Sequence, residues 1–395
     1  MREFAYERAA DLAGALAALA EPGTQPLAGG TELLNWLKEG IEEPDRLVDI
    51  GALPLDEVTA SRSHLVLGGT ARMSAVAAHP EAAAFPVLVQ ALLLGASPQL
   101  RNMATLGGNL QQRTRCPYFR AEHGELPCNK RTPGSGCAAL MSGETERHAL
   151  FGWTEECVAT HPSDLAVALA ALDAEIRTED AAGGRRTLSA AEFHLTPQDA
   201  PPHRNTVLRP GELITQVRVP WGSATRRSRY VKVRERASYE FALVSAAVVL
   251  PRMEGGAFGS VRIALGGVAH RPWRLYAAEE ALAGVGPDDV AGQRRALERS
   301  FDEARPLPGG RNAYKRELAL RTALRALREA AYAEDGGGTA TDRHTTDVGT
   351  TDRHTTDVGA ADRHTTDSET VDRHTTDSEP DTGPDTGRGT GEGER

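Results

Sequence analysis

Residues 26–34 read PLAGGTELL and place two adjacent glycines, Gly29 and Gly30, between an extended segment and a helix that Thr31 can cap. Residues without a Cβ atom let backbone N–H groups approach a ligand closely, and the start of a helix adds partial positive charge. Many such turns merely join a strand to a helix. One turn alone therefore leaves both readings open, a simple connection or a phosphate-binding site.

A second turn of the same kind occurs at residues 104–110, ATLGGNL, where Gly107 and Gly108 lie between Thr105 and Asn109. The hydroxyl and amide of those two side chains can bond phosphate or ribitol oxygens. Two strand-to-glycine-turn units in one domain are typical of a scaffold that binds phosphates. Neither turn matches the G-x-G-x-x-G dinucleotide fingerprint or the G-x-x-x-x-G-K-[ST] phosphate loop, so the usual nicotinamide and nucleoside-triphosphate classes lose support.

Hydrophobic periodicity around both turns predicts an α+β or α/β beginning of the chain. Helices are predicted within residues 9–20 and 31–40, a strand at 45–50, a strand and a helix within 65–79, a helical stretch within 85–110, a helix followed by a strand within 160–178, and a strand at 213–220. Further along, three strands are predicted at 229–236, 241–250 and 259–269, followed by helices within 273–284, 290–304 and 312–333.

These patterns divide the chain of 395 residues into three parts. The first domain spans residues 1–222 and carries a cysteine-rich insertion at 111–157. A second α+β domain of three strands plus helices spans 225–333, and a tail spans 334–395. The sequence contains no uninterrupted apolar run of about 18 residues and no ordered signal-peptide regions, so neither a membrane span nor an export signal is expected.

The net charge of −10 is concentrated in the tail, which has 16 acidic and 6 basic residues. The chain before Glu334 has 39 acidic and 39 basic residues. An electrically balanced body argues against a nucleic-acid surface. The tail repeats a ten-residue unit four times, beginning with TDRHTTDVGT, and has almost nothing apolar to bury. We therefore predict that the tail is disordered. The histidines that recur in the repeat could bind a metal, although the simpler explanation of the repeat is expansion of a solvated linker.

All four cysteines, Cys116, Cys128, Cys137 and Cys157, fall within 42 positions. Disulfides are disfavoured because no signal peptide directs the chain to an oxidising compartment, and chance burial would scatter the cysteines through the core. The clustering favours a metal site with four cysteine ligands. The intervals of 11, 8 and 19 residues match neither compact zinc knuckles nor the ferredoxin spacing, so the spacing alone does not identify the metal.

Basic residues accompany the cysteines, at positions 113, 115, 120, 130 and 131. Cations near sulfur stabilise the reduced, more negative state of an iron–sulfur cluster, and this composition favours a cluster over zinc. An arginine-rich loop that faces solvent or a partner protein is the alternative explanation.

Four motifs in order resemble those of the FAD-binding subunit of the xanthine oxidase family of molybdenum hydroxylases: PLAGGTELL, LRNMATLGGNL, HPSDLAVAL and LRPGELITQVRVP. The cysteine segments QRTRCPYFR, PCNKRTPGSGC and HALFG, with the later cysteine in ECVATHPSD, resemble the branch whose flavin subunit also carries a [4Fe-4S] cluster, as in heterotrimeric bacterial aldehyde oxidoreductases. The resemblance covers residues 1 to about 333.

The resemblance implies an α+β fold: a PCMH-type FAD-binding domain of two α+β subdomains, then the C-terminal domain of CO dehydrogenase flavoproteins. Residues 28–33 and 105–109 would wrap the FAD pyrophosphate and ribityl chain, Asp164 would hold the adenosine end, and Ile214 would pack against the flavin. The implied FAD-binding residues are Pro26, Leu27, Ala28, Gly29, Gly30, Thr31, Glu32, Leu33, Thr105, Leu106, Gly107, Gly108, Asn109, Asp164, Ile214 and Lys232, with Gly95 and Tyr239 as weaker candidates; the implied cluster ligands are the four cysteines.

The activity implied is that of an oxidoreductase subunit of the aldehyde or xanthine dehydrogenase type. A molybdopterin-containing large subunit would oxidise an aldehyde or a heterocycle, a [2Fe-2S] small subunit would relay the electrons, and FAD on this chain would pass them to an external acceptor. The expected location is cytoplasmic, or periplasmic if a partner subunit carries the complex out. Two alternatives remain at this point: a zinc-stabilised binding module without catalysis, and an FAD oxidase of the same fold that acts alone.

Overall fold

The structure is a computed structural model that describes residues 1–121 and 124–333. The acidic repeat tail, predicted at residues 334–395, lies outside the described residues. Within the described part of the chain, no helix is both long enough and apolar enough to cross a membrane.

The first layer is a three-stranded sheet with β3 in the middle and both outer strands parallel to it. Its elements are β1 (Ala5–Arg8), α1 (Leu12–Leu19), β2 (Thr24–Leu27), α2 (Leu33–Lys38) and β3 (Arg46–Asp49). The α1 helix begins after Asp11, whose carboxylate accepts a hydrogen bond from the N–H of Gly14 at 2.7 Å. The predicted helices and strands of this region are confirmed, each a few residues shorter than its sequence pattern.

The second layer is a five-stranded antiparallel sheet in the order β4-β5-β8-β6-β7. Its strands are β4 (Val58–Ala60), β5 (His64–Gly68), β6 (Glu175–Glu179), β7 (Arg185–Ser189) and β8 (Leu213–Pro220). The helices between β5 and β6 are α3 (Met73–Ala78), α4 (Pro86–Leu94), α5 (Pro98–Arg101), α6 (Leu106–Leu110), α7 (Ala138–Ser142) and α8 (Asp164–Ala171), with a 3₁₀ turn at Pro80–Ala84. The α7 helix lies inside the cysteine-rich insertion.

The C-terminal layer is a four-stranded antiparallel sheet in the order β12-β11-β10-β9, covered by three helices. Its strands are β9 (Ser228–Val233), β10 (Val244–Glu254), β11 (Ala257–Gly266) and β12 (Trp273–Arg274). Its helices are α9 (Tyr276–Leu282), α10 (Val290–Glu298) and α11 (Tyr314–Ala331), and 3₁₀ turns occur at Trp221–Ser223 and Arg299–Phe301. The three predicted strands and three predicted helices are all present.

One local prediction differs from the structure, because Trp273 and Arg274 form a short strand instead of the start of a helix. They pair with Leu265 and Ala264 of β11. The Arg274 guanidinium also donates to Asp173 at 2.6 Å. These long-range partners override the local helical pattern, and α9 begins only after them.

The α8 helix joins the layers, since all eight of its residues are buried. A helix that is apolar on every side packs inside a domain rather than on its surface. It packs against α4 and against strands β10 and β11 of the C-terminal sheet. Its first residue, Asp164, is thereby fixed at the junction of the second and the C-terminal layers.

Candidate functional site

A cavity of about 1090 Å³ opens where the turn from β2 to α2 faces α6, β8 and β9. Pockets that bury a small molecule commonly have volumes of about 300–1,000 Å³, so this cavity is large enough for an extended ligand. Fourteen of the sixteen residues predicted to bind FAD line it: Pro26, Ala28, Gly29, Gly30, Thr31, Glu32, Leu33, Thr105, Gly107, Gly108, Asn109, Asp164, Ile214 and Lys232. The weaker candidates Gly95 and Tyr239 line it as well.

Leu27 and Leu106 do not line the cavity. Leu27 ends strand β2, where its carbonyl accepts a hydrogen bond from Ile50 at 2.9 Å. Leu106 is fully buried in the hydrophobic core. Both residues belong to motifs predicted to bind FAD, but Leu27 pairs within the sheet and Leu106 packs in the hydrophobic core.

The first glycine turn lines the cavity and contains five consecutive backbone N–H groups. Among the hydrogen bonds of the described residues, none is donated by a backbone N–H from Gly29 through Leu33. Gly30 adopts a left-handed conformation, with φ of +70°, and a left-handed residue beside right-handed ones turns successive N–H groups toward one concavity. The α2 helix follows directly. Amides arranged in this way at a helix start bind an anion such as a diphosphate.

The second glycine turn lines the same cavity, but its N–H groups are already bonded within the protein. The N–H of Gly107 donates to the carbonyl of Gly69 at 2.8 Å, and the N–H of Gly108 donates to the Thr105 hydroxyl at 3.2 Å. A Cβ atom at Gly107 would lie 2.9 Å from the same Gly69 carbonyl. Gly107 is therefore required by close backbone packing, whereas the first turn retains the unpaired donors.

Gly69 is a cavity residue that the sequence analysis did not select. A Cβ atom there would lie 2.2 Å from the carbonyl oxygen of Ile214, and its N–H donates to Thr215 at 2.8 Å. The available signal is the glycine pair Gly68–Gly69, but adjacent glycines also occur at 183–184, 255–256, 266–267 and 309–310, so a pair alone does not identify a cavity residue.

Asp164 lies in the cavity wall within a buried polar group. Its carboxylate accepts hydrogen bonds from the hydroxyl of Tyr230 at 2.5 Å and from Nζ of Lys232 at 2.7 Å. Burial raises the pKa of Asp164, although the Lys232 ammonium opposes this. Burial and the Asp164 charge raise the pKa of Tyr230 well above its usual value, which keeps its hydroxyl protonated. Asp164 and Lys232 thus form a neutralised pair at one end of the cavity.

Glu32 connects the first glycine turn to the cysteine segment. Its carboxylate accepts from the guanidinium of Arg115 at 2.6 Å and of Arg120 at 2.5 Å, and from the indole N–H of Trp36 at 2.8 Å. Arg115 immediately precedes Cys116 and also stacks on the ring of Phe241, 4.7 Å from its centroid. These contacts fix the position of the first glycine turn relative to the first cysteine.

The arginines near the cysteines form ion pairs and hydrogen bonds with residues of the first layer. Besides Arg115 and Arg120, Arg113 pairs with Glu42, and Arg131 donates to the carbonyls of Glu39 and Gly40. Since their guanidinium groups are directed at α2 and the turn after it, they hold the insertion on the first layer. The sequence places these four arginines near the cysteines, and the structure pairs their guanidinium groups with acceptors of the first layer.

The structure brings the four cysteines to the wall of one small interior cavity, and all four are free thiols. Cys128 and Cys137 face each other in an isolated antiparallel bridge. Burial raises the pKa of Cys116 to about 12 and that of Cys157 to about 11, so without a metal these thiols stay protonated. A bound metal reverses this, because a coordinating thiol loses its proton.

Lys130 lies half-buried in the wall of this cysteine site. Its Nζ donates to the carbonyl of Pro202 and to Oδ1 of Asn205, both at 2.9 Å. Asn205 also lines the large cavity. The loop before β8 therefore contacts both sites.

Within the described residues, no three side chains of His, Cys, Asp or Glu converge to bind one metal ion. Two sulfurs on one tetrahedral zinc lie about 3.8 Å apart, given Zn–S bonds of about 2.3 Å. In a cluster with four cysteine ligands, each sulfur binds a different iron, so the sulfurs are further apart than around one ion. Among the described residues, the four thiols therefore share one cavity wall without the geometry of a single-ion site.

Two family models, which together cover most of the described chain, place it in the class of flavoprotein subunits of molybdenum-containing dehydrogenases. The chain belongs to the family described as the FAD binding domain in molybdopterin dehydrogenase, which matches residues 2–222. Residues 229–330 match the CO dehydrogenase flavoprotein C-terminal domain. The chain is thus an oxidoreductase subunit with an FAD-binding domain, which confirms the predicted fold class and the predicted FAD-binding subunit of a molybdenum hydroxylase.

The aldehyde oxidoreductase FAD-binding subunit PaoB of Escherichia coli (strain K12) is 45% identical over 84% of this chain and 99% of its own length. The carbon monoxide dehydrogenase medium chain of Afipia carboxidovorans is 28% identical over 73% of this chain and 82% of its own. Among solved structures, quinoline 2-oxidoreductase from Pseudomonas putida 86 matches with a TM-score of 0.63 and 25% identity, covering 84% of this chain and 97% of that chain.

Proposed function

We propose that this chain carries FAD and a [4Fe-4S] cluster, and that it transfers electrons within a complex that oxidises aldehydes. The row of unpaired N–H groups from Gly29 to Leu33 in the wall of a large cavity is the observation that carries the FAD assignment. The 45% identity to an aldehyde oxidoreductase subunit supports aldehydes as the substrate class of the complex. Partners of this chain would be a molybdopterin-containing large subunit and a [2Fe-2S] small subunit.

In this proposal the first glycine turn binds the diphosphate of FAD, because its amides are the free donors. Residues 105–109 form the adjoining wall by packing, and the Thr105 oxygen caps α6 by accepting from the Gly108 N–H, which leaves its hydroxyl hydrogen free to donate. Ile214 contributes apolar surface and lies against Gly107. Asp164 and Lys232 supply a polar end of the cavity whose charges already balance, so a neutral part of the cofactor is the better match there.

FAD supplies the capacity to accept two electrons and two protons, the number that an aldehyde and one water release on conversion to a carboxylic acid. An external oxidant, whether a one-electron or a two-electron acceptor, then takes them from this subunit. The protein's own contribution is to hold the cofactor beside the domain junction. The buried Asp164 and Tyr230 keep bulk water away from that end.

Cys116, Cys128, Cys137 and Cys157 are the residues that would hold the [4Fe-4S] cluster, which supplies one-electron transfer when bound. Support comes from the shared cavity, the free thiols and the absence of single-ion geometry among the described side chains. The ion pair between Glu32 and Arg115 connects this site to the first glycine turn. The two proposed redox sites are therefore adjacent in one rigid framework.

The test is anaerobic addition of an aldehyde to the chain alone and to the chain co-purified with both partner subunits. We expect the visible flavin band to bleach in the complex and to persist in the isolated chain, because this chain has no aldehyde-oxidising centre of its own. Bleaching of the isolated chain would instead support an oxidase that acts alone. A complex that consumes aldehyde without bleaching its flavin would refute the electron-transfer role.

A further inference from the structure

His148 is a buried histidine directly beside the cysteine site. Its Nε2 lies 3.4 Å from Sγ of Cys116, within hydrogen-bonding distance for sulfur. The residue is only 4% exposed, and its Nδ1 has no hydrogen-bond partner among the described residues. The two nitrogens of a neutral imidazole divide into one donor and one acceptor. A ligating thiolate can only accept, so once Cys116 binds a metal this contact requires the tautomer in which Nε2 carries the hydrogen.

The backbone of His148 is held from several sides. Its N–H donates to the carbonyl of Thr145 at 3.1 Å, and its own carbonyl accepts from Nζ of Lys315 at 3.0 Å. Lys315 is fully buried on α11 and also binds the carbonyls of Arg147 and Gly267. A long helix of the C-terminal domain therefore fixes the position from which the imidazole reaches the sulfur.

The arginines cannot supply this contact, since they are paired with glutamates and carbonyls of the first layer. Backbone N–H groups of Tyr118 and Phe119 also hydrogen-bond the Cys116 sulfur, but substitution cannot remove them. His148 is a side chain within hydrogen-bonding distance of this sulfur, whereas Lys130 acts on it through its charge.

We propose that His148 is a positioning residue that sets the reduction potential of the cluster by donating a hydrogen bond to the Cys116 thiolate. The inference rests on the proposed [4Fe-4S] site. An N–H donor withdraws negative charge from a ligating sulfur, and this stabilises the reduced cluster more than the oxidised one. Removing the donor therefore lowers the equilibrium constant for reduction.

The experiment is a redox titration of the cluster, followed by electron paramagnetic resonance, in the full chain purified with its partner subunits. His148→Phe keeps a ring of similar size and lacks the donor, and we expect reduction to become about threefold to tenfold less favourable. A tenfold change corresponds to about 59 mV for one electron. His148→Gln places an amide N–H near the Nε2 position and should restore most of the wild-type value.

The matched control is His270→Phe, which replaces another buried histidine whose ring nitrogens have no partner among the described residues. It should leave the reduction potential unchanged. A potential in His148→Phe equal to that of the wild type, or an equal shift in the control, would overturn the role of His148.

A second measurement applies if His148→Phe fails to retain iron. Pulsed electron paramagnetic resonance on the wild type should then show coupling of the cluster to an imidazole nitrogen, and the absence of this coupling overturns the inference. A wild-type chain without iron would instead refute the cysteine site itself, and the inference with it.

Discussion

Gly30 is the residue whose backbone conformation forms the first glycine turn. At φ of +70° it lies in the left-handed region, where a Cβ atom is disfavoured by about 1–2 kcal/mol. The added methyl group would also contact Cδ1 of Leu34 at 3.2 Å. A change at this position therefore acts on the direction of the N–H groups on either side of it.

We expect Gly30→Ala to weaken FAD binding about fivefold to tenfold, because about 1 kcal/mol of backbone strain is relieved by turning the amides away from the diphosphate. Flavin fluorescence during titration of the FAD-depleted chain measures this. The matched control is Gly256→Ala, which has a φ of +85° in the β10–β11 hairpin and nothing within 4 Å of the new methyl group. Equal affinities in the two variants would contradict the assignment of the diphosphate to this turn.

The sequence predicts the residue types of the site better than their roles. Both glycine turns were found from their composition alone, and both line the cavity. Which turn keeps free amides depends on contacts between distant segments, such as the Gly107 N–H with the Gly69 carbonyl. No local pattern contains that information. The clustering of basic residues likewise gave no indication that their partners are glutamates near α2.

Among the elements, α11 connects the C-terminal domain to the cysteine insertion. Lys315 on this helix donates to three carbonyls, those of Arg147, His148 and Gly267. The hydrophobic periodicity of residues 312–333 predicts the helix correctly, but it does not predict that a lysine lies on its buried face. A buried ammonium is favourable only where acceptors surround it, and those acceptors come from two other segments.

Burial lowers the pKa of Lys315 to about 7 from an ordinary value of 10.5. Between these values the unfolded chain binds a proton that the folded chain releases, so this lysine makes the free energy of unfolding rise with pH. The rise is at most about 1.4 kcal/mol per pH unit. We expect Lys315→Met to remove this component, as measured by urea unfolding of the full chain at several pH values between 7 and 10.

Exposed Lys38 provides the control, because Lys38→Met removes a lysine that is in contact with water at the end of α2. Its pH dependence should follow the wild type. If Lys315→Met and the wild type gain stability equally across this range, Lys315 does not titrate as its burial implies.

At the scale of the whole molecule, the described chain places two proposed redox sites in one framework. The FAD-binding domain contributes the amide turn and the cysteine insertion, while the C-terminal domain contributes Lys232 at one site and Lys315 beside the other. The order of the motifs predicts the fold class and the family because each motif is local in sequence. It does not predict the ion pairs between Glu32 and the insertion, which depend on how the layers pack.

The most direct measurement is analysis of FAD, iron, zinc and labile sulfide in the chain purified anaerobically with its partner subunits, wild type against Cys137→Ser. Thr132→Ala, an exposed change in the same loop, serves as the control. We predict about one FAD and about four iron atoms in this chain beyond those of its partners, with the Cys137→Ser variant losing this iron and keeping its FAD. Zinc in place of this iron, or a wild-type chain without FAD, would contradict the assignment of the two sites.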